Sequence, residues 1–144
     1  ILNFKLLINF KMDLKIFKIA ANNKNNNHLK NYDYILKQKN SMCGDEIEIS
    51  VKLKNKKISK IGYTCKSCIY TQASASLLSN FLKNKSFDEV KELKLILDKF
   101  FKKELTKLPK RQLIFSKLIN KHNLARTECL MLPFITLYKM IEKL

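Results

Sequence analysis

Glycine, arginine and long apolar runs are scarce in this sequence of 144 residues, and each scarcity excludes a class of function. With only two glycines, the chain has no glycine-rich loop of the kind that cradles phosphate groups. Only two of the 29 basic residues are arginine, the side chain that most often reads base edges in nucleic acids. No segment approaches the roughly 20 consecutive apolar residues of a membrane-spanning helix. We therefore expect no membrane partner and disfavour nucleic acid as a partner.

The excess of positive charge is the strongest argument for a nucleic-acid partner. The formal net charge is +17, and a basic surface gains affinity for a polyanion by releasing its counterions. However, lysine and asparagine are spread along the whole chain and form no single stripe with interleaved aromatic residues. A drift towards AT-rich codons, which encode lysine, asparagine, isoleucine and phenylalanine, explains the same composition. A basic nucleic-acid binder with steeply salt-dependent affinity is therefore the least favoured of three hypotheses.

Length and composition predict one domain with a sizeable core, since 46% of the residues are hydrophobic and 28% are charged. Residues 1–11 differ in character from the rest of the chain, and Met12 is a candidate start. We expect residues 1–11 to be a non-native or disordered leader and residues 12–144 to form the domain. The leader lacks the continuous apolar core and small-residue cleavage site of a secretory signal. Reduced thiols in a cytoplasmic compartment are then expected for the four cysteines.

Two segments in the first half of the chain predict a β-hairpin. From Glu46 to Leu53, apolar residues alternate with polar ones, which is the period-two pattern of a half-buried strand. A polar turn, Lys54–Lys57, separates this segment from a second predicted strand, Ile58–Tyr63. Gly62 lies near the end of that strand, where it permits a bulge or a close approach of another segment.

Helical patterns flank the hairpin on both sides. In residues 13–21 the apolar residues recur at helical spacing, and one side of the predicted helix consists of Leu14, Phe17 and Ala21. The tract Asn22–Asn27 predicts a loop, whereas Tyr32–Lys39 fits neither a helix nor a strand clearly.

After the hairpin, a helix is predicted from about Ala73 to Leu82, with small residues on one side that suit close packing on a sheet. Ser86 and Glu89 form a capping box, which predicts the start of the next helix. The apolar positions of that helix recur at helical spacing: Val90, Leu93, Leu97 and Phe101. Pro109 suits the first position of a further helix. The last helix is predicted to begin around residues 129–133, and this order of elements indicates an α+β fold.

Three separated segments carry the cysteines, and they suggest a site that folding assembles. Cys43 and Asp45 flank a glycine directly before the first strand of the hairpin, Cys68 closes a Cys-x-x-Cys motif, and Cys129 lies far downstream. Zinc is bound by thiolates and carboxylates, and iron–sulfur clusters are bound by thiolates. Each cysteine taken alone also fits a buried core residue, so no single motif decides the function.

The Cys-x-x-Cys motif at Cys65 and Cys68 is a weak signal, because no second pair completes a zinc ribbon and no βαβ unit surrounds it. Cys129 precedes an apolar helix, and we expect the helix dipole, assisted by Arg126, to lower the pKa of its thiol. The two histidines, His28 and His122, have no assignable role.

Together these residues resemble the U-type iron–sulfur cluster assembly scaffold family, which comprises NifU amino-terminal, IscU and SufU proteins. The resemblance covers roughly residues 13–144. It rests on three motifs in the family's order and at similar spacing: Met42-Cys43-Gly44-Asp45, Cys68-Ile69-Tyr70-Thr71-Gln72-Ala73-Ser74-Ala75-Ser76 and Arg126-x-x-Cys129-Leu130-Met131-Leu132-Pro133-Phe134. The Ala-Ser-Ala-Ser register aligns Cys68, and not Cys65, with the family's second cysteine. The long interval to Cys129 resembles the SufU branch, and Glu128 replaces the histidine of IscU-type members.

The resemblance implies a small antiparallel sheet, consisting of the hairpin and a short third strand, packed against several α-helices. It implies that Cys43, Asp45, Cys68 and Cys129 bind Zn²⁺ or the iron of a transient iron–sulfur cluster. It also implies a scaffold or zinc-dependent sulfur acceptor, and not a conventional enzyme. The expected partners are a cysteine desulfurase and downstream cluster-carrier or apo-proteins. Cys43 and Cys129 are the candidate sulfur acceptors, and the sequence does not choose between them.

A rival hypothesis from another class is a structural zinc-binding interaction module without sulfur transfer. It uses the same ligands, so the sequence alone does not separate it from the first hypothesis. Metal binding without transfer of persulfide sulfur from a desulfurase would favour this rival.

Overall fold

The computed structural model describes residues 14–144 of the chain. A helix, α1, occupies residues 14–21 of this part. The other elements are β1 (Tyr34–Lys39), β2 (Glu46–Lys54), β3 (Lys57–Lys66), α2 (Ile69–Leu82), α3 (Phe87–Phe101), two 3-10 helices (Lys110–Lys117 and Lys121–Arg126) and α4 (Thr127–Glu142). The expected leader, residues 1–11, and the candidate start Met12 lie outside the described residues. Among the described helices, none has the length and apolar character needed to cross a membrane.

The predicted hairpin is confirmed as part of a three-stranded antiparallel sheet with the order β1–β2–β3. Asn55 and Lys56 connect β2 to β3, and both have positive φ angles, of 53° and 62°. Such two-residue turns match the twist of the strands they join. Ile47, Ile49 and Val51 are buried, as the alternation predicts. Strand β1, in the segment without a clear pattern, is mostly half-buried, so neither of its faces has a strong apolar signal.

Helices α2 and α4 pack against each other and against the sheet, which confirms the α+β class. The close packing of α2 depends on short side chains, since those of Ala73, Ser74, Ala75 and Ser76 are all buried. Apolar side chains from the sheet and the helices form one continuous core. This shared core fixes the position of the ends of α2 and α4 relative to the ends of the strands.

The capping box at the start of α3 is confirmed. The Ser86 hydroxyl accepts a hydrogen bond from the Glu89 backbone N–H at 3.3 Å, and the Glu89 carboxylate accepts one from the Ser86 backbone N–H at 2.7 Å. This backbone hydrogen bond lowers the pKa of Glu89. Of the predicted apolar positions, Val90, Leu93 and Leu97 are buried.

The apolar side predicted for α1 is wrong. Leu14 and Phe17 are 46% and 55% exposed, whereas Ile16 is buried and Ile19 and Ala20 pack against the core. Residues 16, 19 and 20 also have helical spacing, at i, i+3 and i+4, so spacing alone did not distinguish the two sides.

The helix expected from Pro109 onwards is a 3-10 helix, with Pro109 directly before its first residue. Its buried residues, Gln112 and Phe115, are three positions apart, and the buried Leu118 follows three residues later, directly after the helix. Side chains three apart lie on one line in a 3-10 helix, which has three residues per turn.

The last helix begins at Thr127, two residues before the predicted start, and contains Pro133 in its second turn. Proline has no backbone N–H, so the carbonyl of Cys129, four residues earlier, lacks its helical donor. The Thr71 hydroxyl on α2 donates to this carbonyl at 3.0 Å. The Ser74 hydroxyl, one turn further along α2, donates to the next carbonyl, that of Leu130. Pro133 thereby frees the Cys129 carbonyl for the hydrogen bond from Thr71 on α2.

Gly62 on β3 faces the loop of residues 22–27, and it permits the close approach that the sequence predicted. A Cβ atom at this position would lie 2.5 Å from the Asn27 carbonyl oxygen and 3.1 Å from Leu29 Cγ. Asn25 fastens the same loop, because its carbonyl oxygen accepts a hydrogen bond from the Tyr63 backbone N–H at 3.0 Å. The bulge of the sheet lies elsewhere, between Lys52 and Leu53.

Replacing Gly62 with alanine should displace this loop and destabilise the fold. The new methyl group would collide with backbone, and overpacking of this kind typically lowers the free energy of unfolding by about 1–3 kcal/mol. The exposed neighbour Lys60 on the same strand provides the control, since Lys60→Ala should change stability by less than about 0.5 kcal/mol. Urea denaturation measures both variants, and equal midpoints would contradict the prediction.

Candidate metal centre

The loop between β1 and β2 presents Cys43 and Asp45. It is closed by a hydrogen bond from the Asn40 backbone N–H to the Asp45 carbonyl at 2.8 Å, and the Gly44 N–H donates to the Asn40 carbonyl at 2.8 Å. Gly44 has a φ of +77°, which glycine adopts without strain. This turn leaves Cys43 exposed and directs the Asp45 side chain inward, where it is only 8% exposed.

Cys68 lies at the start of α2 as the residue directly before its first turn, and it is half-buried. Its backbone N–H donates to Asp45 Oδ1 at 3.3 Å. The first turn of α2 contains no acidic residue, so Asp45 supplies negative charge to this helix N-terminus from another segment.

Cys129 occupies the third position of α4, so this helix also directs its N-terminus towards the site. One ligand atom each from Cys43, Asp45 and Cys129 lies within 4.8 Å of the other two. Cys68 adjoins this group, since its backbone N–H donates to Asp45 and its sulfur lies 3.8 Å from the Thr71 hydroxyl oxygen. The structure therefore brings together the ligand atoms of three of the four residues on which the resemblance depends, and Cys68 lies beside this group with its sulfur outside it.

This donor set fits a thiophilic metal ion. Thiolates together with a carboxylate suit Zn²⁺ or iron, and the positive ends of two helices oppose the negative charge that such ligands bring. Magnesium and calcium prefer sites built from oxygen ligands, which this group is not.

The pKa of Cys129 is raised, so the predicted lowering is wrong. Burial is the largest cause, the neighbouring Cys68, Cys43 and Asp45 act in the same direction, and together they raise the pKa to about 12. Arg126 is not among the groups that shift this pKa, and its guanidinium lies over the ring of Tyr70, 5.1 Å from the ring centre. A bound metal cation would lower the pKa of a coordinating thiol again, since it favours the thiolate form of its ligands.

Cys65 lies on β3 opposite Ile47 and is half-buried at the edge of the core, outside the group of closest ligand atoms. Burial raises the pKa of its thiol. Glu128 is exposed and also lies outside that group. His28 is exposed and contacts Glu48 at 2.8 Å, and His122 is exposed in the second 3-10 helix.

Thr71 is the residue of this region that the sequence reasoning did not single out. Its side chain is completely buried in the first turn of α2, and its hydroxyl lies 3.0 Å from Asp45 Oδ2 and 3.0 Å from the Cys129 carbonyl oxygen. The available signal was its spacing, three residues after Cys68, which places both residues on one side of a helix.

Comparison with solved structures gives the same fold. The N-terminal NifU-like protein of Brucella abortus has a TM-score of 0.79 at 18% identity, with 90% of each chain covered. A protein assigned as the iron–sulfur cluster assembly scaffold of the SUF system in Fervidobacterium islandicum AW-1 has a TM-score of 0.78 at 21% identity, covering 88% of this chain and 93% of that one. At these identities the likeness establishes the fold alone. No protein with a curated function matches this chain in sequence.

The family model for the NifU-like N terminal domain matches residues 12–125. This range contains Cys43, Asp45 and Cys68 and ends four residues before Cys129, so the assignment of Cys129 to the site depends on the geometry described above. Because the match covers most of the chain, this protein belongs to the family of NifU-like N terminal domains.

Proposed function

We propose that this protein is an iron–sulfur cluster assembly protein that accepts sulfur from a cysteine desulfurase. The observation that carries this proposal is the convergence of Cys43, Asp45 and Cys129 from separate segments to within 4.8 Å. Membership of the NifU-like family and the similarity to a SUF-system scaffold support the choice of iron–sulfur chemistry over other uses of such a site.

In this proposal Cys43, Asp45, Cys68 and Cys129 hold the metal ion. A bound metal keeps the thiols deprotonated at neutral pH and therefore ready for sulfur chemistry. The iron–sulfur cluster itself is cargo, which the same thiolates would hold until an acceptor protein takes it. The three thiolates and one carboxylate proposed here equal the number of ligands that Zn²⁺ takes in structural sites.

Cys43 is the sulfur acceptor that we propose, because it is the most accessible of the four thiols. It is exposed, whereas Cys65, Cys68 and Cys129 are each half-buried. Its thiolate attacks the terminal sulfur of a persulfide on the desulfurase. A new S–S bond forms on Cys43, the S–S bond to the desulfurase breaks, and the desulfurase cysteine leaves as a thiolate.

The surface around Cys43 is compatible with a docking partner. The neighbouring Met42 is 79% exposed, so an unbranched apolar side chain stands directly beside the reactive thiol. Methionine at such a position adapts to the shape of a partner surface. The desulfurase and, after assembly, an apo-protein acceptor are the partners that the proposal requires.

Loss of any proposed ligand should lower metal binding. Cys43→Ser, Asp45→Ala, Cys68→Ser and Cys129→Ser should each weaken zinc affinity by at least about tenfold, because even outer-shell losses cost that much. Metal analysis and absorption spectra of anaerobically purified protein measure the effect, with colourless zinc protein indicating a carrier and a brown chromophore a scaffold. Cys65→Ser is the matched control and should keep its metal. Full metal retention in Cys68→Ser would refute the ligand assignment.

Sulfur transfer should depend on Cys43 in particular. After incubation with a cysteine desulfurase and cysteine, mass spectrometry should find one additional sulfur atom on Cys43 of the wild-type protein. Cys43→Ser should lose this modification, whereas Cys65→Ser should keep it. Transfer to Cys129 in the wild-type protein would contradict the choice of acceptor. Metal binding without any transfer would favour the structural zinc-binding module.

A further inference from the structure

The Thr71 hydroxyl contacts every segment that contributes to the candidate metal centre. It lies 3.0 Å from Asp45 Oδ2, in the loop before β2, and 3.0 Å from the Cys129 carbonyl oxygen, in the first turn of α4. On its own helix it lies 3.8 Å from the sulfur of Cys68. The side chain is completely buried, so no solvent competes for these contacts.

Two features of the chain create this arrangement. Cys68 directly precedes α2 and Thr71 follows within its first turn, so the helix presents both side chains to the site. Pro133 removes the helical donor of the Cys129 carbonyl, and the Thr71 hydroxyl occupies that position. A hydroxyl has a single proton, so the carboxylate of Asp45 and the carbonyl of Cys129 share one donor.

This arrangement constrains Asp45 most, because each of its two carboxylate oxygens accepts a hydrogen bond. Oδ1 accepts from the Cys68 backbone N–H at 3.3 Å, and Oδ2 accepts from the Thr71 hydroxyl at 3.0 Å. The backbone donor survives every substitution at residue 68 except proline, whereas the second donor depends entirely on the hydroxyl at residue 71. Each carboxylate oxygen has further acceptor capacity, so these bonds orient Asp45 without preventing it from binding a metal ion.

We propose that Thr71 is a positioning residue of the metal centre, which orients the Asp45 carboxylate and so sets how long a metal ion is retained. The proposal rests on the proposed function only in taking Asp45 as a metal ligand. Outer-shell hydrogen bonds to metal ligands typically change metal affinity by about 10–100-fold. Loss of the hydroxyl should therefore accelerate metal release within that range.

Zinc release from Thr71→Val and Thr71→Ser tests the proposal. Valine has nearly the same shape without the hydroxyl, and serine keeps the hydroxyl without the methyl group. Zinc-loaded protein is mixed with an excess of a chromogenic chelator, and the release rate is followed by absorbance. Thr71→Val should release Zn²⁺ about 10–100-fold faster than the wild type. Thr71→Ser should remain within a few-fold of the wild type.

Thr136→Val is the matched control. Thr136 is also completely buried, and its hydroxyl donates to the Leu132 carbonyl at 2.7 Å within α4. The substitution removes the same group from the core without touching the site. Its release rate should equal that of the wild type, so a general loss of stability is separated from an effect on the site. If Thr71→Val does not fold, Thr71→Ala provides the same comparison, with the same expected acceleration.

A double-mutant cycle with Asp45→Ala tests whether the hydroxyl acts through the carboxylate. In the Asp45→Ala background, Thr71→Val should no longer change the release rate. The visible spectrum of the Co²⁺-loaded protein adds an independent readout. Thr71→Val should shift the ligand-field bands of the wild-type protein towards those of Asp45→Ala, while the thiolate charge-transfer bands persist.

Two results would overturn the inference. One is equal release from Thr71→Val and Thr136→Val, and the other is an undiminished effect of Thr71→Val in the Asp45→Ala background. Either would leave the proposed function intact, provided that wild-type protein binds Zn²⁺ and the ligand variants lose it. Wild-type protein that binds neither Zn²⁺ nor Co²⁺ would instead refute the proposed function itself.

Discussion

The contact between α2 and α4 is the constraint on which the candidate metal centre depends. Cys68 and Cys129 lie at the N-termini of these two helices, so their separation follows from how the helices pack. Small buried residues on α2 permit the close approach, and hydroxyl-to-carbonyl hydrogen bonds from Thr71 and Ser74 fix the register. Pro133 makes this register specific, because it frees the Cys129 carbonyl for a partner on α2. The β1–β2 loop then adds Cys43 and Asp45 to a position that the helices define.

Much of the fold was predictable, because its strongest local patterns coincide with its tertiary environment. The alternation in β2 matches a strand with one buried face, and the Ser86 capping box begins α3 as expected. The errors occurred where two interpretations share one pattern. On α1, two sets of apolar residues have helical spacing, and only packing selects the side of Ile16. Strand β1 is half-buried along most of its length, so it lacks the contrast that alternation requires.

The candidate site was predictable only in part, because its residues come from distant segments. Spacing alone gave no reason to join Cys43 to Cys129, and the resemblance to U-type scaffold proteins supplied that link. The electrostatic prediction for Cys129 failed because a helix N-terminus is visible in the sequence, whereas burial and neighbouring acidic groups are not. Thr71 was missed for a similar reason, since a small polar residue on a packed helix gives no sign of its partners across the chain. The two cysteines of the conspicuous Cys65-x-x-Cys68 motif also differ in position. Cys68 contacts Asp45 through its backbone, whereas Cys65 lies on β3 outside the group of closest ligand atoms.

X-ray absorption at the zinc edge of the zinc-loaded protein tests most directly whether three thiolates and the Asp45 carboxylate form one metal centre. We predict three sulfur ligands at about 2.3 Å and one oxygen ligand at about 2.0–2.2 Å. The Cys65→Ser variant should give the same shells, and Asp45→Ala should lose the protein oxygen ligand. A shell of four sulfur ligands would contradict this arrangement, because Cys65 would then replace Asp45.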